Sequence, residues 1–292
     1  MADTILIIGG TGMLGEPVAR RLRAGGYHVR ILTRSPDKAR GRFGVDYEIV
    51  AGDVTVPDSL AGAMRGCQGV HVSLHGDSAP DLERIAVVNA VRAALGACVQ
   101  HFTYLSGASV IAENCWFSDT RARFEAEEAV KASGLPYTIF KASWFMESLD
   151  RFIHGQRAFV FGPQTKSWHW IAADDYARMV AAAYVTPVAA GKSLFIYGPD
   201  YCTMRAALQQ YIAIAHPGVR LMPMPFWAAD LMARLGRRRE LQAALPFFRY
   251  CDKVSVHEAG DPTEANILLG TPDTMLELWS RQKAAQSDSL NL

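Results

Sequence analysis

Ile5-Leu6-Ile7-Ile8-Gly9-Gly10-Thr11-Gly12-Met13-Leu14-Gly15 is the stretch from which the rest of the chain can be read. Four apolar residues with strand propensity run into a glycine cluster, and a helical pattern begins as the cluster ends. Glycines at 9, 12 and 15 give a G-x-x-G-x-x-G spacing, with one more at position 10. The pattern predicts a buried strand, a tight turn and a helix N-terminus. Glycine takes positive φ in such a turn and lets the backbone come close to a ligand. The orphan N–H groups of the first helical turn then face an anion, here the pyrophosphate of a dinucleotide. A glycine run alone says little; its place between strand and helix carries the reading.

Leu14, Val18 and Leu22 continue at helical spacing until Gly25-Gly26, and His28 to Thr33 reads as a second strand. This βαβ unit closes in about 30 residues. The residue after its second strand selects the cofactor. An acid there would bond the ribose 2′-hydroxyl of NAD, but this chain has Thr33-Arg34-Ser35 and then Lys38. A guanidinium suits a 2′-phosphate, so NADP(H) is favoured over NAD(H), with Arg34 and Lys38 beside it. Asp46 to Val50 predicts a third strand leading to Asp53 and Val54. Asp53 stands at a strand's carboxyl end, where its carboxylate can accept the adenine amino group or stabilise its own turn.

Gly69 to Leu74 reads as a fourth strand, with His71 as a packed residue and His75 in the following loop as the better ligand contact. Pro80 to Leu95 predicts a helix burying Leu82, Ile85, Val88 and Leu95. Phe102 to Leu105 is a fifth strand followed by Ser106-Gly107-Ala108, Trp116 to Ala132 a helix, and Pro136 to Phe140 a sixth strand. Strands alternating with helices predict an α/β fold, a Rossmann-type doubly wound parallel sheet. Beyond Lys141 the alternation lapses. Trp144-Phe145-Met146 is expected in a loop or helix start, and residues 157–168 as irregular chain. Asp174 is expected to cap a helix through Ala183, and Ser193 to Tyr197 to form one more strand. Helices are expected over Thr203 to Ala215 and in an amphipathic region from Phe226 to Phe248, with a disordered tail from Gln286. The expected domains are a dinucleotide-binding core, 1–155, extended by 172–198, and a smaller substrate lid, 156–171 and 199–292.

The chain has 292 residues, half of them hydrophobic, with 30 basic and 29 acidic side chains. A net charge of +1 offers no field for nucleic acid or an anionic membrane. The basic run Arg237-Arg238-Arg239, followed by Glu240, reads as a solvated helix end. Five scattered cysteines make neither a metal motif nor a disulfide framework, which suggests reduced thiols in the cytoplasm. No apolar run approaches the roughly 18 residues of a membrane span.

Taken together, these pieces resemble the NmrA-like branch of the atypical short-chain dehydrogenase/reductase superfamily. The glycine turn, Leu32 to Ala39, Gly52-Asp53-Val54, Tyr104-Leu105-Ser106, Ser133 to Ile139 with Phe145-Met146-Glu147, Ala173 to Ala177, and Ile196 to Pro199 carry the resemblance. It implies NADP(H) on the glycine turn, at Gly9, Thr11, Gly12, Met13 and Leu14. It also implies Ser73, Leu74 and Ser106 along the nicotinamide half, and the segment from Lys141 to Phe145 closing over the cofactor.

Carbonyl reductases of that superfamily use Tyr-x-x-x-Lys on the helix after the fifth strand, two side chains on one face. Here Asp119 falls at the tyrosine position and Arg123 at the lysine position, with no tyrosine between Tyr104 and Tyr137. Arg123 can bind ribose or phosphate but cannot shuttle protons. Asp119 can act as an acid only if burial raises its pKa. Two functions follow from this departure. One is an NADPH-dependent reductase of a small, flat, apolar or aromatic substrate, such as an activated alkene, a benzylic compound or a quinone. It would have His75, Trp116, Trp144, Phe145, Met146 and Trp170 lining the substrate and His169 as the alternative proton donor. The other is a non-catalytic NADP(H) sensor or a scaffold for a protein partner, to which Met222 to Trp227 would offer a surface.

Overall fold

The computed structural model describes residues 2–74, 80–236, 239–254 and 260–290. Its strands are β1 (Thr4–Ile8), β2 (His28–Thr33), β3 (Glu48–Ala51), β4 (Gly69–Val72), β5 (His101–Gly107), β6 (Tyr137–Ala142), β7 (Trp144–Phe145), β8 (Ile153–His154), β9 (Arg157–Phe161), β10 (Ser167–Ile171), β11 (Lys192–Ile196), β12 (Asp200–Thr203) and β13 (Arg220–Met224). Its helices are α1 (Gly15–Ala24), α2 (Pro36–Phe43), α3 (Pro57–Met64), α4 (Pro80–Gly96), α5 (Ser118–Lys131), α6 (Ala173–Val185), α7 (Met204–Ala215), α8 (Phe226–Leu235), α9 (Arg239–Lys253), α10 (Thr263–Leu269) and α11 (Leu276–Leu290).

The chain divides into two compact units. The first holds residues 1–142, 173–196 and 261–271; the second holds 143–172, 197–260 and 272–292. The first stretch of the first unit thus runs to Ala142, against the expected 155, and the unit includes α10, whose Glu264 pairs with Lys192 at 2.6 Å.

The first unit is built on a seven-stranded sheet in the order β11-β6-β5-β4-β1-β2-β3, with every neighbour parallel. Helices cover a parallel sheet on both faces, so its central strands are apolar throughout, as in the wholly buried Ile5 to Ile8. The strand order reverses at β1, with β2 on one side and β4 on the other. In open α/β sheets, ligands bind outside the carboxyl ends at that switch. Ile8 is in register with both Leu32 and Val72, so these ends lie together.

Several local expectations are corrected. Asp46 belongs to a 3₁₀ turn, Gly44–Asp46, and β3 starts at Glu48. Ile85 and Leu95 of α4 are exposed; the buried stripe is Ala86, Val87, Ala90, Val91 and Ala94, whose small residues admit close packing. Ser106 lies inside β5, which runs to Gly107. Asp174 sits within the first turn of α6 and pairs with Arg21 at 3.2 Å. Residues 157–168 are largely ordered as β9 and the start of β10, because β9 pairs with β13 and β10 with β12. The amphipathic region is two helices, α8 and α9, and α11 continues through Leu290 into the expected tail. Arg237 and Arg238 lie outside the described residues.

The second unit has two small sheets, β12-β10-β7 and β13-β9-β8, around an apolar cluster that includes Met146, Trp170, Tyr211 and Trp279. Among the described residues no helix is long and apolar enough to cross a membrane.

Candidate cofactor site

In the first unit the turn after β1 is set by close backbone approach. Gly9 has φ +86°, and a Cβ there would lie 2.0 Å from the Ser73 carbonyl oxygen. A Cβ on Gly15 would lie 2.2 Å from the Gly9 carbonyl oxygen. Only glycine fits at either place, and the result is a shallow cradle leading into the N-terminus of α1. Gly12 N–H donates to the Gly9 carbonyl at 2.9 Å, leaving Gly12 and Met13 exposed at the cradle's lip.

A cleft of about 460 Å³ opens beside this turn. Of the expected cofactor residues, Gly9, Thr11, Arg34, Lys38, Asp53, Val54 and Leu74 form its wall. Gly12, Met13, Leu14 and Ser73 adjoin that wall along the chain. Arg34 is exposed and makes no hydrogen bond to a described residue. Lys38 and Arg42 share one face of α2 at i, i+4 spacing, and both reach the cleft. The i, i+4 spacing from Lys38 is the sequence signal that points to Arg42. Arg42 donates to the Thr11 carbonyl at 2.9 Å and pairs with Glu16, tying α2 to the glycine turn.

Asp53 uses Oδ1 to accept from Thr55 N–H at 2.8 Å and Thr55 Oγ1–H at 2.7 Å. Those two bonds, with a smaller contribution from Arg34, hold its carboxyl below the usual carboxylate range. The turn-stabilising role therefore occupies one oxygen, and Oδ2 has no hydrogen bond from a described residue.

Glu83 also lines the cleft. It is almost fully buried and accepts from Tyr104 O–H at 2.8 Å and Arg123 Nε–H at 2.9 Å. Burial, then the Glu83 charge, pushes the Tyr104 phenol well up. Arg123 is thus anchored by an acid, and Asp119, one turn earlier, accepts from Ser118 O–H at 3.1 Å.

Ser106 and Lys141 both meet a buried acid. Both are buried; Ser106 Oγ–H donates to Glu127 at 2.5 Å, and Lys141 Nζ donates to Glu127 at 3.1 Å and to the Val110 carbonyl at 2.5 Å. A wholly buried carboxylate demands such partners, so these two side chains are committed to Glu127. Trp116 is half exposed just before α5, and His75 lies outside the described residues.

In the second unit, Met146 and Trp170 are wholly buried, and Trp170 Nε1–H donates to the Cys202 carbonyl at 3.2 Å. Phe145 is buried as well. Trp144 is half-buried among Phe152, Trp168, Trp170 and Phe247, at ring separations of 5.7 to 6.4 Å. His169 is stacked on Tyr197 at 4.7 Å and inclined to Tyr201 at 4.7 Å, with Nδ1 3.2 Å from the Gly198 carbonyl.

A parallel sheet with a switch point, a glycine cradle and an adjoining cleft defines the first unit as a Rossmann-type nucleotide-binding unit. Residues 9–187 match the NAD(P)H-binding family, and the chain belongs to it. It is 31% identical to a (4-alkanoyl-5-oxo-2,5-dihydrofuran-3-yl)methyl phosphate reductase of Streptomyces griseus subsp. griseus, over 70% of this chain and 72% of that one. It is 29% identical to the Photosystem II assembly factor Ycf39 of Trieres chinensis, over 50% of this chain and 47% of that one, about half the length of each. The fold matches that of a Citrobacter triphenylmethane reductase solved with NADP(H), with TM-score 0.75 and 20% identity over 96% of this chain and 99% of that one.

Proposed function

We propose that this protein is an NADPH-dependent reductase of a small, flat, apolar or aromatic substrate, of the NmrA-like kind. The observation that carries the reading is the basic rim at the carboxyl end of β2. Arg34, Lys38 and Arg42 line the cleft where an NAD-specific site would place an acid. Gly9 and Gly15 let backbone pack on backbone where a Cβ would clash, and the tight turn this allows leads into the N-terminus of α1, a place suited to a pyrophosphate. Asp53 Oδ2 is proposed to accept the adenine amino group. When bound, the nicotinamide supplies hydride, and the protein's own part is to position and stabilise charge. The substrate is a small molecule, not a nucleic acid, and the protein works in the cytoplasm.

Asp119 and His169 are given no proton-transfer role. The Asp119 carboxylate sits in the first turn of α5 and accepts from Ser118 O–H. The His169 ring is fixed by two tyrosines and a carbonyl contact.

The test is direct. Purified protein is titrated with NADPH and NADH, and reduced-nicotinamide absorbance is followed with quinone, enone and aryl-ether panels. Tight NADPH binding with oxidation by one of these classes is expected. Binding of neither dinucleotide would end the reading. Tight NADPH binding without oxidation by any acceptor would favour the second reading, a cofactor sensor or scaffold, which the missing Tyr-x-x-x-Lys pair and the similarity to an assembly factor support.

A further inference from the structure

Arg123 stands where a lysine would hold ribose, yet its environment is unlike that of such a lysine. Its Nε–H is given to Glu83 at 2.9 Å, and the second oxygen of Glu83 is filled by Tyr104. Glu83 and Tyr104 are both buried, so the anchor has little freedom. The terminal nitrogens have no hydrogen-bond partner among the described residues, and the side chain keeps 29% of its exposure. Nη1 lies 3.8 Å from the point where a Cβ would stand on Gly107, at the carboxyl end of β5. Glu83 itself belongs to the cleft wall. The result is a permanently charged planar fork, fixed at its neck and unspent at its tips, at the sheet edge where ligands bind.

We propose that Arg123 is an oxyanion-binding residue that receives the carbonyl oxygen of a conjugated acceptor, an enone or a quinone. This rests on the reductase reading and narrows its substrate class. Arginine cannot release a proton near neutral pH, so it replaces acid catalysis by charge stabilisation. In an enone the β-carbon gains hydride with its electron pair, and NADPH is left as NADP⁺. The alkene pair shifts through the α-carbon onto oxygen, the enolate oxygen accepts hydrogen bonds from Arg123, and water supplies the proton to the α-carbon. Atoms and charge balance without a further reagent. An acceptor in which hydride transfer places no charge on oxygen, a cationic one included, gains nothing from the fork. Glu83 is a positioning residue: it aims the guanidinium and does not meet the substrate.

The test uses Arg123→Gln, Arg123→Lys and the double variant Glu83→Gln with Arg123→Gln, which leaves no uncompensated buried acid should the single variant fold poorly. Three readouts are taken: NADPH affinity, kcat and KM with enone and quinone panels, and binding of substituted phenols of similar size but graded acidity. The expected result for Arg123→Gln is a loss of roughly 100- to 1,000-fold, seated in kcat, with NADPH affinity held within about twofold. Wild type should bind the phenolate form better than the phenol, and the variant should lose roughly tenfold or more of that preference, about one charge-assisted hydrogen bond. Arg123→Lys should recover part of both. Unchanged kcat together with unchanged phenolate preference would overturn the proposal. A loss of NADPH affinity that accounts for the whole effect would also overturn it and assign Arg123 to the cofactor. Should the wild-type protein reduce no acceptor, the reductase reading falls, and the phenolate titration alone still decides whether Arg123 is an anion site.

Discussion

Replacing Arg34 by alanine is the cleanest probe of the cofactor site, because Arg34 lines the cleft and makes no hydrogen bond to a described residue. Its loss leaves no buried partner behind, so the fold should be indifferent to it, within about 0.5 kcal/mol. Against a 2′-phosphate the guanidinium forms charge-assisted hydrogen bonds, each contributing about 1.5–3 kcal/mol. Exposure to solvent and salt places Arg34 at the lower end of that range. An affinity loss for NADPH of roughly 10- to 30-fold follows. NADH carries no 2′-phosphate and should lose no more than about twofold, the share of adenine stacking. The assay is titration of both dinucleotides at two salt concentrations, with thermal unfolding as the control. The NADPH loss should shrink at higher salt. Equal losses for NADPH and NADH would show that Arg34 only stacks on adenine, and no loss for either would remove it from the site. Arg42→Ala is not an equivalent probe, because Arg42 also holds the Thr11 carbonyl and Glu16.

Gly9→Ala should lower the melting temperature and weaken both dinucleotides together, since its φ of +86° and the 2.0 Å approach to Ser73 force the turn or β4 to move; a variant as stable as wild type would contradict that packing. Glu127→Gln leaves the Lys141 ammonium buried without its counter-charge and should cost about 3–5 kcal/mol in urea unfolding. The double variant Glu127→Gln with Lys141→Met should recover much of that, and additivity of the two changes would mean they do not interact. Burial pushes the fully enclosed His71 down to about 3 and His101 to about 4, against an ordinary value near 6.5. Protonation therefore favours the unfolded chain: their stabilisation is complete above pH 6.5 and is lost as pH falls towards 4 and then 3. His71 alone should account for about 2 kcal/mol between pH 6.5 and 5. His71→Gln should flatten the pH dependence of the urea midpoint; an unaltered slope would exclude His71 as its source.

The first unit was legible because its signals are local. β1, β2 and the glycine turn follow from periodicity and backbone freedom over a few residues, and the cofactor cleft inherits its wall from them. The second unit was not, because its strands are short and are made by distant pairing, such as Arg157 with Arg220 across sheet β13-β9-β8. No window of sequence contains that contact. The helix α4 failed in a different way. Its polar residues Glu83 and Asn89 occupy buried positions, since Glu83 satisfies Tyr104 and Arg123 and Asn89 donates to the Val54 carbonyl, and the apolar pattern was therefore read on the wrong face. The partner of Ser106 and Lys141 is hidden from sequence in the same way: it is a buried acid, Glu127, on α5.

These buried acids also bear on how a reductase can lack the usual tyrosine and lysine. That pair works because the lysine lowers a phenol pKa and the phenol then gives up a proton. In this chain the phenol that β5 carries, Tyr104, is buried against Glu83 and its pKa rises, so it is a donor to Glu83 and not an acid for substrate. The cation beside it is held by the same acid and keeps its proton, its pKa raised by Glu83. Such an arrangement cannot perform proton transfer but can stabilise negative charge continuously across neutral pH. A carbonyl reductase of an ordinary ketone needs a strong alkoxide protonated in the step itself, whereas a conjugated acceptor delivers its charge to an enolate that water can protonate afterwards. The chemistry lost at Asp119 and Arg123 is thus the part that only the first kind of substrate requires.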